Sequence, residues 1–233
     1  MFAIIRKEVK SYFVTPLAYV VIFFFMILSS IFFWMRNLNY QLAEYTSVLG
    51  PMGFLLIFII PLLTMKILSD DRKNSTFILY TTSPVSITDI VLGKYFAILI
   101  VYITILLFTF IFPVILMIFG SPDLVKIIGG YIGFFLLGAS FISVGVFISS
   151  LSESQIISAV FTFICLLIIW LIDSISGAFA GNIAKVMRWF SLLSRYEKFN
   201  TGILKLDSVL FFISFIFIFL FLTVRVLEKR RWS

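Results

Sequence analysis

The stretch YFAILIVYITILLFTFIFPVILMIF, residues 95–119, decides what kind of fold this chain adopts: its 25 residues include no Asp, Glu, Lys or Arg. As a helix rising about 1.5 Å per residue it reaches roughly 37 Å, more than the ~30 Å hydrocarbon core of a bilayer. Working outward, comparable apolar runs occupy residues 17–35, 52–68, 127–148, 156–172 and 208–224. A chain crossing lipid must satisfy its backbone internally, which leaves helices as the spanning form for runs of this length. The expectation is an all-α integral membrane protein, a single transmembrane domain over residues 1–233 with six transmembrane helices.

Composition supports lipid as the solvent. The chain is 62% hydrophobic, 18% aromatic and 12% charged, with 30 Phe, against roughly 45–50% apolar and 25% charged for soluble domains. The net charge of +7 raises nucleic acid as a partner, but basic residues beside apolar runs face anionic headgroups, so no nucleic-acid partner is expected. The sequence contains no His, and its one cysteine, Cys165, lies inside an apolar run. A disulfide or a cysteine zinc cluster within the chain is therefore excluded. No metal site or catalytic residue is expected.

The connections hold the few charges. Residues 1–16, MFAIIRKEVKSYFVTP, place Phe2, Ile5, Val9, Tyr12 and Phe13 at helical spacing with Arg6, Lys7, Glu8 and Lys10 between them. That pattern is an interfacial amphipathic helix, ended by Pro16. A signal peptide competes, but residues 17–35 are long for its apolar region and no A-x-A site follows, so an uncleaved first span is expected. With the N-terminus inside, the inner segments hold eleven of the 18 Lys and Arg and the outer segments seven, which orients both termini toward the cytoplasm. Five of those seven fall within residues 173–207, where Trp189, Phe190, Leu192, Leu193, Tyr196 and Phe199 alternate with them. Short half-helices lying on or dipping into the outer leaflet satisfy both components.

Gly129 and Gly133 form a small-xxx-small pair in span four, suited to helix packing within the chain or to a dimer seam. Ionisable residues near membrane are functional candidates; Glu153 and Asp173, at opposite ends of span five, are the candidates for gating or a pathway. The only Gly-Lys pair, Gly93-Lys94, is followed by Tyr95 and lacks the spacing of a phosphate-binding loop. Any nucleotide hydrolysis must come from another chain.

The longest inner connection is LSDDRKNSTFILYTTSPVSITDIVLGKY, residues 68–95. Ser75 and Thr76 can cap a short helix carrying Phe77, Ile78, Leu79 and Tyr80, and Ser83-Pro84 ends it. Ser86 and Asp89 have capping-box spacing at the start of span three. A short helix with exposed apolar residues suits docking into a partner's groove; lying on the membrane surface is the alternative.

Three segments carry a family resemblance. STFILYTTSPVSITDIVLGKYFA (75–97) resembles the E-L-L-L-T-S-P-V-S…I-V-L-G-K-F element of membrane subunits of type-two ABC exporters. IRKEVKSYFVTPLAYVV (5–21) looks like their K-E-L-x-S-Y-F-x-S-P amphipathic helix. The closing segment 194–232 is similar to the H-F-x-x-F-x-x-G-x-x-D…L-E-x-R-R-W pattern of the gliding-motility-associated permease branch, departing from it at Arg195-Tyr196, where the branch usually has histidine. The resemblance implies a permease subunit in the bacterial inner membrane that pairs with a second permease subunit and binds ABC ATPase chains. ATP and Mg would sit on that ATPase, with no cofactor in this chain. It implies an ATPase-coupling helix carried by Ser75, Thr76, Phe77, Ile78, Leu79, Tyr80, Ser83 and Pro84, and export or movement of a membrane-embedded substrate. Two other readings stay open: a non-transporting scaffold or mechanical transmitter driven by the same ATPase, and a stand-alone secondary carrier.

Overall fold

The computed structural model describes residues 1–41, 44–73, 86–176, 191–202 and 205–231. Among them there is no strand, and six helices are long and apolar enough to cross a membrane. The chain is an all-α multi-span membrane protein. Helix α1 (Phe2–Val14) is followed by α2 (Leu17–Phe33), which runs into a π-helical turn at Trp34–Leu38. Then come α3 (Thr46–Thr64), the short α4 (Ser69–Lys73), α5 (Ile87–Thr109), α6 (Ile111–Phe119), α7 (Leu124–Leu151), α8 (Gln155–Ser176), α9 (Leu192–Asn200) and α10 (Leu206–Arg231).

Local chemistry explains the helix limits. Ser86 is extended and its Oγ accepts the Asp89 N–H at 3.1 Å, capping α5. Here the Asp89 carboxylate accepts the Ser86 hydroxyl at 2.6 Å rather than reaching back to a backbone N–H. Asp123 caps α7, accepting the N–H of Val125 at 3.1 Å, so that helix begins before its apolar run does. The long third apolar run breaks between α5 and α6 at Phe110. Pro113 is the cause: it brings no N–H to the carbonyl four residues earlier, Thr109. At the break the Phe110 N–H donates to Leu107 O at 3.2 Å, and Thr109 Oγ1 donates to Leu106 O at 2.7 Å. Helix α3 continues through Pro51 and Pro61, stops at Thr64, and gives way to a turn over residues 65–68.

Helix α7 is the axis of the bundle, with α3, α5, α8, α9 and α10 packed around it. Of its most apolar window 78% is buried, against 17% for α8 and for α10, whose outer faces are left to lipid. Because lipid is as apolar as a protein core, helices here associate through close packing and hydrogen bonds. Small residues on α7 provide the approach. The Tyr102 ring lies where a Cβ on Gly138 would stand, 2.3 Å from it, and its hydroxyl donates to Phe134 O at 2.8 Å. Phe199 of α9 fills the space beside Gly133, and its carbonyl lies 3.0 Å from the position of a Cβ on Gly129. The glycine face named from sequence is thus occupied by packing within the chain.

Candidate functional site

Among the described residues the charged side chains gather at the two ends of the bundle. At the end carrying α1, the central residue is Lys94, in the third turn of α5 and only 1% exposed. A buried ammonium needs partners for all three of its donors. Lys94 Nζ donates to Glu8 Oε1 of α1 at 3.0 Å and to Ile67 O in the turn after α3 at 2.6 Å, and it is ion-paired with Asp71 Oδ2 of α4 at 2.6 Å. The two carboxylates are themselves mostly sheltered, each 13% exposed. Two stretches far from Lys94 in sequence, residue 8 and residues 67–71, therefore meet on its amine.

Packing brings them there. Ile4 of α1 sits against Gly93 of α5, where an added Cβ would come within 3.1 Å of it. Tyr12, fully buried at the other end of α1, donates its hydroxyl to Leu63 O of α3. Burial, reinforced by the charges of Glu8 and Asp70, pushes the Tyr12 phenol well above its ordinary value, so it stays a donor. Lys66 lies 4.8 Å over the same ring. Tyr12 and Lys66, with Lys7, Glu8, Ser11, Ile67, Asp70, Asp71 and Lys94, line a cleft of about 240 Å³.

A second knot joins α4 to α7. Ser149 Oγ accepts the backbone N–H groups of Leu68 and Ser69, both at 3.2 Å, and lies 3.2 Å from Ser69 Oγ and 3.3 Å from Met65 O. Asp70 accepts the side-chain amide of Gln155, the first residue of α8. Together the two knots hold both ends of the 74–85 connection to α1, α5, α7 and α8. The candidate helix residues Ser75, Thr76, Phe77, Ile78, Leu79, Tyr80, Ser83 and Pro84 lie outside the described residues.

At the opposite end, α9 is tucked into the bundle rather than laid on its surface. Tyr196 and Phe199 are fully buried, and Tyr196 donates to Leu49 O of α3 at 2.7 Å. Arg195 stacks over the Phe211 ring of α10 at 4.1 Å. Burial lowers its pKa, partly offset by the Asp207 charge. Tyr45 and Tyr131 stack at 5.8 Å, and the Tyr131 hydroxyl lies 3.3 Å from Tyr45 Oη and 3.2 Å from Thr109 Oγ1. Beside them Lys126 lies between Glu44, at 3.8 Å, and Asp123, at 3.9 Å, along a cleft of about 320 Å³.

The gating candidates separate accordingly. Glu153 is exposed in the turn between α7 and α8, at the α1 end. Asp173 is half-buried near the far end of α8, where its charge acts on Glu197 of α9. The structure does not bring them together. Sequence reasoning missed Lys94, Glu8 and Asp71 as a unit. The available signal was a lone lysine eight residues into an apolar helix that begins at Ile87, which calls for a carboxylate partner.

Six apolar helices around α7, with polar clusters at the two ends, define an integral membrane protein of the multi-span helical class. The family model described as ABC-2 family transporter protein matches residues 35–196, from the end of the first span to α9, and the chain belongs to that family. No curated protein sequence matches it.

Proposed function

We propose that this chain is the membrane subunit of a type-two ABC exporter in the bacterial inner membrane, with both termini in the cytoplasm. It pairs with a second membrane subunit, and separate ABC ATPase chains, which hold ATP and Mg, dock on its 74–82 segment. Its closing segment favours the gliding-motility-associated branch. The observation that carries the reading is the family match across residues 35–196, which includes residues 74–82.

The geometry at the α1 end supports a route for the coupling. Asp71, two residues before the end of α4, is paired to Lys94 of α5, and Ser86 caps α5 directly after the connection. A push delivered between residues 74 and 85 therefore meets a clamped base rather than two loose ends. Closure of the ATPases would press on that base and tilt α2, α3 and α8, switching a two-state arrangement of spans. The loaded and emptied forms of the ATPase bias it by binding the two arrangements unequally.

The test is co-purification from membranes. Phe77→Asp or Leu79→Asp should leave the chain inserted and strip it of its ATPase. Undiminished recovery of the ATPase with either variant would overturn the docking assignment.

A further inference from the structure

Lys94 does something that a charge at a membrane edge need not do. It is buried, and its amine is shared between two distant stretches of chain: Glu8 on α1, and residues 67–71, where it donates to Ile67 O and is ion-paired with Asp71 of α4. Ion pairs in such surroundings add little to stability over apolar packing of the same volume, since desolvation offsets the attraction. What they supply is direction and register. Apolar packing tolerates a slide of one helix along another; an amine shared by two carboxylates and a carbonyl fixes one arrangement.

The position of the triad gives that register a use. Glu8 lies on an amphipathic helix whose outer residues Arg6, Lys7 and Lys10 are exposed. Asp71 lies on the last described helix before residue 74, and Lys94 on the first one after residue 85. Other contacts of α1 add to this: Ile4 packs against Gly93, Tyr12 donates to Leu63 O with Lys66 over its ring, and the Lys7 charge acts on Asp71. Lys94 is thus the point where α1 is fixed to both flanks of the connection at once.

We propose that Lys94 is a positioning residue for energy coupling: through Glu8 and Asp71 it makes α1 and both flanks of the 74–85 connection move as one rigid body. Displacement of that connection then shifts the interfacial helix, and with it the start of α2, in step with α5. The inference rests on the functional reading above, because it assigns the force on the connection to the ATPase. The chain's own part in it, that the triad immobilises α1 on α5, is independent of any partner.

The experiment uses the full chain with its ATPase in vesicles of phosphatidylethanolamine and phosphatidylglycerol. Spin labels go on Lys10→Cys of α1 and Phe96→Cys of α5, in a Cys165→Ala background. The variant is the charge-free triple E8Q/D71N/K94M, which removes the triad without stranding a buried charge; K94R keeps the charge as the conservative control. The labelled parent should give one narrow distance distribution, unchanged when the ATPase is trapped with ADP and vanadate. The triple variant should still insert and retain the ATPase, yet show a broadened distribution in the chain alone and lose the control of ATP hydrolysis by the membrane subunit. K94R should keep the narrow distribution. Wild-type distances and wild-type hydrolysis in the triple variant would overturn the proposal. Failure of the unsubstituted chain to retain any ATPase overturns the functional reading instead, and the distances in the chain alone still decide whether the triad holds α1.

Discussion

Ser149→Ala tests how firmly the α3–α4 turn is held. The Ser149 side chain is buried, and its Oγ accepts the N–H groups of Leu68 and Ser69, each at 3.2 Å. Both donors precede the first helical bonds of α4, so their acceptor comes from outside the helix. Alanine removes that acceptor without adding volume. Each orphaned buried donor costs about 1–3 kcal/mol, and Leu68 and Ser69 are only 2% and 0% exposed, so water reaches them poorly. The hydrogen bond from Ser69 Oγ to Ser149 O, at 3.3 Å, survives and limits the loss. The expected cost is about 2–4 kcal/mol, read as a lower midpoint in denaturant titration of the purified chain in mixed micelles. Hydrogen exchange supplies the local readout: the amides of residues 68 and 69 should lose protection while those in the middle of α7 keep theirs. An unchanged midpoint with both amides still protected would refute the assignment of Ser149 as the bracket of this turn.

Other expectations follow from single contacts. Gly138→Ala puts a methyl inside the Tyr102 ring and should cost about 1–3 kcal/mol through overpacking; in a Tyr102→Ala background the same change should cost almost nothing, and equal costs in both backgrounds would show that the ring is not the obstacle. Lys94→Met alone strands Glu8 and Asp71 in a sheltered site and should destabilise by about 3–5 kcal/mol, most of which the charge-free triple variant recovers. Lys198, exposed in the last turn of α9, should be labelled from outside intact cells as Lys198→Cys in a Cys165→Ala background; labelling only after permeabilisation would reverse the proposed orientation. Desolvation, and then the negative charge of Asp173, raise the Glu197 carboxyl above its ordinary 4.5. Its folded-state pKa therefore exceeds the unfolded one, so its contribution to stability is fully present below that value and is lost as the pH climbs through the raised pKa. Glu197→Gln should flatten the corresponding part of a plot of melting temperature against pH; an unaltered slope would count against the Asp173–Glu197 interaction.

What the sequence made legible, and what it withheld, follows from how far each signal reaches. A span is a property of consecutive residues, so runs such as 95–119 announce themselves, and a cap like Ser86 with Asp89 is complete within one turn. Proline chemistry is equally local: Pro113 lies in the run, and the carbonyl it leaves unpaired is four residues back. The placement of α9 was not legible in the same way. Alternating basic and apolar residues describe a helix with one wet and one dry face, and a leaflet surface satisfies that pattern as well as a cleft between helices does. What decides between them is the absence of side chains at Gly129 and Gly133 on α7, some 70 residues earlier, which opens the space that Phe199 fills. The Lys94 triad is less local still. Counted along the chain, Lys94, Glu8 and Asp71 are an inner-side cation and two flanking carboxylates, each plausible in water; their separations in sequence carry no pattern. The packing of α1 against the bundle, Ile4 on Gly93 and Tyr12 on Leu63 O, shelters the amine from water and sets it beside two carboxylates. That is why the charges that set topology and the charge that fixes α1 to the connection look identical in the sequence. Burial distinguishes them, and a neutral substitution at Arg6, exposed on the same helix, should leave the α1–α5 distance untouched where loss of the triad does not.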